Sequence, residues 1–176
     1  MPPRPLRLLT LLAVAAGLLG AGCGSDDDSD GAGPDEPGEA AAEARATLED
    51  TSVKPIIEKP SGSPPRRLVK ENIVKGQGRA AEAGDRVTVQ YVGVSFSTGE
   101  EFDASWNSGR PFSFRLGAGD VIPGWDKGIV GMKQGGRRKL TIPPELAYGA
   151  EGAPPDIAPN ETLVFVVDLV KINPRS

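Results

Sequence analysis

The sequence predicts an α+β domain: an antiparallel, twisted β-sheet of about five to six strands wrapped around one short α-helix. Three observations predict it. Apolar and polar residues alternate through several stretches between residues 87 and 172. One two-turn segment carries apolar residues at helical spacing, at Trp125, Ile129 and Met132. Turn residues separate these runs, and 23 Gly and 17 Pro in 176 residues leave little room for long helices.

The elements follow in chain order. In VTVQY (87–91), Val87, Val89 and Tyr91 share one face of a strand. FSFRL (112–116) does the same with Phe112, Phe114 and Leu116. The helix around Trp125 turns Asp126 and Lys127 outward and is too short to stand alone, so it must pack on the sheet. Leu140 and Ile142 alternate just before Pro143 and Pro144. The last strand carries Leu163, Phe165, Val167 and Leu169 on one face and Val164, Val166, Val170 and Ile172 on the other, which predicts a central strand covered on both sides. Turns are expected at 83–85, 98–99, 108–109 and 135–136. The basic triplet Arg137, Arg138 and Lys139 reads as a solvated strand edge rather than a nucleic-acid contact, and Gly76 to Gly78 as a turn, since no Lys-Ser/Thr follows to make a phosphate loop.

Ahead of this domain the composition changes. Arg4 and Arg7 precede an apolar run from Leu8 to Leu19, and small residues lead to Cys23. Residues 1–22 therefore read as a signal peptide, too short for a membrane span of about 20 apolar residues. Cys23 resembles the lipidated cysteine of a bacterial lipobox, with Gly20 where Leu is usual; ordinary secretion with an incidental Cys23 is the alternative. Residues 23–67 read as a disordered acidic and Pro-rich tether. Ten acidic and two basic side chains give 24–54 a net charge of −8, with only a transient helix expected at 39–50. A strand at 53–58 is left open. Residues 68–176 form the domain, and the chain beyond residue 54 has fourteen acidic and sixteen basic side chains.

Composition also excludes chemistry. With no His and one Cys, the chain has no Ser-His-Asp or Cys-His machinery, no histidine-ligated metal site and no disulfide framework. All nine aromatic side chains fall between Tyr91 and Phe165. Aromatic residues clustered around the short helix are what remains.

Five stretches sharpen that reading: VQYVG (89–93), FD (102–103), VIPGWDKG (121–128), LAYG (146–149) and TLVF (162–165). In this order and spacing they resemble the FKBP-type peptidyl-prolyl cis–trans isomerases, over residues 68–173. The resemblance implies an FKBP-like fold and acceleration of X–Pro rotation in exported proteins. Trp125 is implied as the floor beneath the substrate proline, with Tyr91, Phe112 and Phe165 as walls and Val121 and Ile122 along one side. The Ile122 N–H is implied as a donor to a substrate carbonyl and the Tyr148 hydroxyl as a donor at the mouth. Phe102 and Asp103 are implied beside the twisting amide, Phe114 in the pocket interior, Asp120 as a hydrogen-bond acceptor and Ile157 on an overhanging loop. Tyr91, Phe102, Asp103 and Tyr148 are the implied catalytic set. Three positions depart from the family pattern: Ser108 stands where Arg often pairs with the acid at Asp103, and Ala153 and Asp156 alter the loop after Tyr148.

Expected partners are proline-containing polypeptides, macrolides such as rapamycin, and a membrane through lipidated Cys23, which would anchor the protein to the outer face of a bacterial cell membrane. No cofactor, metal or nucleic acid is expected, and the chain is expected to be a monomer. The competing reading is a non-catalytic chaperone or adaptor that grips proline segments.

Overall fold

A computed structural model describes residues 38–173. Eight strands are present among them: β1 (Val69–Val74), β2 (Gln77–Ala80), β3 (Arg86–Ser95), β4 (Glu101–Ala104), β5 (Phe112–Arg115), β6 (Lys133–Gln134), β7 (Arg137–Ile142) and β8 (Leu163–Asn173). The helices are α1 (Glu39–Glu49), α2 (Ser105–Ser108) and α3 (Pro123–Ile129), with a 3₁₀ turn at Pro144–Leu146. Six strands make one antiparallel sheet in the order β1-β7-β8-β3-β4, with β5 also on β3. β2 and β6 form a separate ribbon.

The long β3 organises the sheet. One edge pairs along its length with β8. The other edge is shared: Arg86 to Val89 pair with β5, and Val92 to Val94 with β4. The chain between β4 and β5 must therefore leave the sheet and return, and α2 lies on that excursion. It forms one lip of the site described below.

α3 lies across one sheet face, as the spacing of Trp125 and Ile129 requires. Val87, Val89, Leu116, Leu140, Ile142, Leu163, Val167 and Leu169 meet it in one core. The approach is close because Gly128 faces β7: a Cβ there would lie 2.7 Å from a methyl of Leu140. α3 ends at Ile129, and Met132, expected at the next helical position, is buried from the following turn instead.

The opposite face of β8 is covered as the double row of apolar residues requires. Val164 and Val166 are buried there, and Val164 packs with Val92, Val94 and Ala104 against Ile57, Phe96 and Trp106. Val170 departs from that row and is exposed. The pairing register slips between Thr88 and Val89, so Val170 is the extra residue of a β-bulge, and Ile172 returns to the α3 side.

What covers this face corrects the expected tether. From residue 38 the chain is not a solvated spacer but α1 followed by an extended strap over 53–60, with no strand. α1 buries Ala44, and the strap contributes Ile57. Arg137 and Asp168 are directly opposite each other across β7 and β8, and they form a fully buried ion pair. The Arg137 Nη2 donates to Asp168 Oδ2 at 2.7 Å and to the Val53 carbonyl at 3.0 Å; Nη1 donates to the carbonyls of Thr47, Leu48 and Asp50. Thr47 and Leu48 lie in the last turn of α1, which has no basic residue of its own, and Asp50 is its C-cap, so Arg137 supplies donors to the carboxyl end of the helix. Lys54 completes the attachment by donating to Glu101 at 2.9 Å and Asn107 at 2.8 Å. The solvated-edge reading of the basic triplet fails for the same reason: β7 is interior, and Arg137 and Arg138 are buried. The signal segment, Cys23 and the tether up to residue 37 lie outside the described residues.

Candidate active site

The aromatic side chains converge above α3. Trp125 enters the sheet from the first turn of α3, where Pro123 sets the helical start, and it is 5% exposed. Tyr91, on β3, stands edge-on to its indole with ring centroids 5.0 Å apart; Phe165, on β8, does so at 5.3 Å. Phe112 lies 6.3 Å away on β5, and Phe102 meets Phe165 at 5.5 Å and 90°. Rings at these distances and angles attract through their quadrupoles as well as by burial, so the walls hold one another in place. Gly93 makes room for two of them. A Cβ at that position would come within 2.7 Å of both the Phe102 and the Phe165 rings.

The result is an open cavity of about 210 Å³, lined by Tyr91, Phe102, Asp103, Phe112, Asp120, Val121, Ile122, Trp125, Tyr148 and Phe165. It has an aromatic floor at Trp125 and ring walls, with Asp103, Asp120, Tyr91 and Tyr148 supplying polar groups to its lining. The Tyr91 hydroxyl donates to Asp103 Oδ2 at 2.6 Å. Burial pushes the Tyr91 hydroxyl far above its ordinary pKa, and the Asp103 carboxylate, as hydrogen-bond acceptor and as a negative charge, pushes it further. Tyr91 is thus a neutral donor locked onto an acid. The Tyr148 side chain is exposed at the rim. The Ile122 N–H has no hydrogen bond among the described residues, although the Ile122 carbonyl accepts from Trp125 N at 2.9 Å. The Trp125 indole N–H is also buried without a partner among them, a desolvation cost accepted at the floor.

Two expected residues sit elsewhere. Phe114 is not at the cavity surface; it lies behind it, stacked on Phe112 at 5.6 Å and 5.7 Å from Trp125, because it sits on the same strand face as Phe112 but two residues deeper along β5, among the buried core residues. Ile157 does not overhang the cavity. It is 5% exposed and packs into the core, since a pair of 2.9 Å backbone bonds with Ala153 folds the loop back on itself. Ser108, at the position that departs from the pattern, donates to the Ser105 carbonyl at 2.9 Å rather than to Asp103.

Other residues shape the site without having been expected there. Asp126 accepts from the N–H groups of Gly117 at 2.7 Å and Gly119 at 3.0 Å, and so fixes the turn that presents Asp120 and Val121. Asp120 itself accepts from the Arg115 N–H at 3.2 Å. Ser105 accepts from the Tyr91 N–H at 2.9 Å and ties α2 to the wall. A groove of about 640 Å³ continues from the cavity past Tyr91, Asp103 and Phe112 to Asn107, Ser108, Arg110 and Pro111. A wide groove joined to a small apolar cavity fits an extended chain with one compact apolar ring inserted. A signal for Asp126 was available in the sequence, as Gly117 and Gly119 bracket a turn that needs an acceptor.

The chain is similar to known proteins in sequence and in fold. The family model described as FKBP-type peptidyl-prolyl cis-trans isomerase matches residues 77–170. An FK506-binding protein of Streptomyces anulatus is 59% identical over 120 residues, covering 68% of this chain and 97% of its own. A probable FK506-binding protein of Corynebacterium glutamicum is 52% identical over 117 residues, covering 66% of this chain and 97% of its own. Among solved structures, FkpA from Escherichia coli superimposes with a TM-score of 0.57 at 40% identity, over 77% of this chain and 60% of that one.

Proposed function

Because this chain belongs to the FKBP-type peptidyl-prolyl cis–trans isomerase family, we propose that it turns X–Pro bonds by seating the proline ring on the Trp125 indole, inside the ring-lined cavity. The supporting observation is the open apolar hollow whose floor is Trp125 and whose polar edge is the Tyr91–Asp103 pair.

An amide resists rotation by about 18–20 kcal/mol because resonance keeps it planar. At X–Pro bonds uncatalysed isomerisation takes tens to hundreds of seconds. The planar amide carries a larger dipole than the twisted one. Moving it from water into the apolar cavity disfavours the planar state more than the twisted one. Phe102 flanks that amide. The Ile122 N–H and the Tyr148 hydroxyl hold carbonyls on either side, so the acyl part stays fixed while the prolyl part turns. Asp103, held by Tyr91, presents its carboxyl group at the cavity edge. No proton transfer or covalent step is required. Lowering the barrier by about 5 kcal/mol accelerates rotation several thousandfold.

A macrolide of the FK506 or rapamycin type is an inhibitor on this reading, because its ring system occupies the same hollow. The export of the chain and its anchoring through lipidated Cys23 belong to the same proposal, with exported polypeptides as substrates. Mass spectrometry of the mature amino terminus tests the anchor: an acylated Cys23 supports it, and an unmodified terminus elsewhere overturns it. A protease-coupled peptide assay tests the catalytic reading. Trp125→Leu and Asp103→Ala, each checked for folding, are expected to lose most of the acceleration, and rapamycin to abolish it in the wild type. Undiminished rates in both variants sink the mechanism.

A further inference from the structure

A second cavity, of about 250 Å³, opens where the end of β1, the β6 ribbon and the turn after α3 meet. It shares no lining residue with the aromatic hollow. Its charged lining residues are Lys75, Lys133 and Arg138, with no carboxylate among the lining residues.

The two neighbouring arginines of β7 show what is unusual here. Arg137 faces one side of the sheet, and its buried charge is matched by Asp168. Arg138 faces the other side, is 7% exposed, and has no acidic partner among the described residues. It is held only by neutral acceptors. Nε donates to Asn72 Oδ1 at 2.7 Å, and Nη1 to the carbonyls of Gly128 at 2.6 Å and Val130 at 3.1 Å. Its Nη2 donates to no described group. Desolvation lowers the pKa of this guanidinium, the cost of a buried charge left uncompensated. Lys75 and Lys133 are exposed at the rim, and neither forms an ion pair among the described residues. A fixed guanidinium with free N–H donors and two exposed ammonium groups is the donor set that holds a phosphate: Arg as an oriented fork, Lys as point charges. At about 250 Å³ the cavity has room for a small anionic group.

We infer that Arg138, Lys75 and Lys133 form a binding site for a phosphate group, separate from the proline cavity, and that the phosphate supplies the missing counter-charge to Arg138. The phosphate is that of a soluble phosphomonoester or of a lipid headgroup.

The test titrates the full chain with inorganic phosphate against chloride at constant ionic strength, read by amide NMR shifts. Saturable shifts are expected at Lys75, Gly76, Gly131, Lys133 and Gly136. The K75Q/K133Q variant leaves the Arg138 hydrogen bonds to α3 intact, so it is expected to keep its melting temperature and isomerase rate while binding phosphate at least ~10-fold more weakly. Glycerol phosphate and vesicles containing phosphatidic acid then separate the sources. Saturation by glycerol phosphate assigns a soluble ligand. Saturation only by the vesicles, lost in K75Q/K133Q, assigns a headgroup. Shifts that do not saturate with any of these ligands, that map elsewhere, or that persist with equal affinity in K75Q/K133Q overturn the inference.

Discussion

Replacing Arg137 with methionine is expected to detach the amino-terminal helix and lower stability sharply while sparing the chemistry. The substitution strands the Asp168 carboxylate, whose side chain is 6% exposed, in the sheet interior. Breaking a buried pair from one side costs about 3–5 kcal/mol. Lost capping of the α1 carbonyls adds about 1 kcal/mol. For a folded unit of this size each kcal/mol moves the melting temperature by about 3–4 °C, so a fall of about 12–24 °C is expected by calorimetry. Adding Asp168→Leu removes the orphaned charge and is expected to recover about 2–4 kcal/mol of that loss. It does not restore the bonds to Thr47, Leu48, Asp50 and Val53, so the α1 amides should exchange with solvent rapidly in both variants. Peptide isomerisation measured well below the transition should be unchanged, because Arg137 faces away from the aromatic cavity. A fall of less than about 5 °C in Arg137→Met, with α1 amides as protected as in the wild type, would refute the clamp.

The site and the strap make further predictions. Tyr91→Phe removes the 2.6 Å bond to Asp103 and is expected to cost about 1 kcal/mol of positioning, a roughly fivefold drop in kcat/KM in the peptide assay. Because the Tyr91 pKa is raised in the folded state, the stability it contributes is complete below about pH 10 and is lost as pH rises beyond that range. Spectrophotometric titration should therefore find no difference in phenolate absorbance between wild type and Tyr91→Phe up to about pH 10. Gly93→Val pushes atoms into the Phe102 and Phe165 rings; a stability loss of about 1–3 kcal/mol by denaturant titration and loss of proline-peptide binding are expected. At Glu101, burial acts to raise the pKa, but hydrogen bonds from Lys54 and Asn107 outweigh it and the carboxyl sits below the usual glutamate range. The strap's stabilisation through this group is then present above about pH 4.3 and is lost as pH falls through the lower folded-state value. Melting curves of Glu101→Gln should lack that acid-side dependence.

Much of this was legible in the residues. Strict alternation in 87–91, 112–116 and 163–169 fixed which side chains face α3, since a strand has only two faces. The spacing of Trp125 and Ile129 placed the helix. The aromatic cluster followed because no aromatic residue lies outside 91–165. Three things were not legible. The bulge that exposes Val170 adds a residue to one strand and leaves no mark in a two-residue period. The docking of α1 depends on a pair at positions 137 and 168 that only strand pairing brings together, so an Ala-rich acidic segment read as solvated. Phe114 and Ile157 were assigned to the hollow by resemblance, yet their place is set by packing: Phe114 lies deeper along β5 than Phe112 on the same face, and a loop closed by Ala153 takes Ile157 into the core. Arg137 and Arg138 looked like a single basic patch until the sheet sent them to opposite faces.

The central claim is that the proline ring rests on Trp125. Intermolecular nuclear Overhauser effects between a proline-containing peptide and this protein measure that contact. Cross-peaks from the pyrrolidine protons to the Trp125 indole, together with exchange cross-peaks between cis and trans peptide, are the predicted result. Catalysed exchange with the pyrrolidine contacts at another surface, and none to Trp125, would contradict the account.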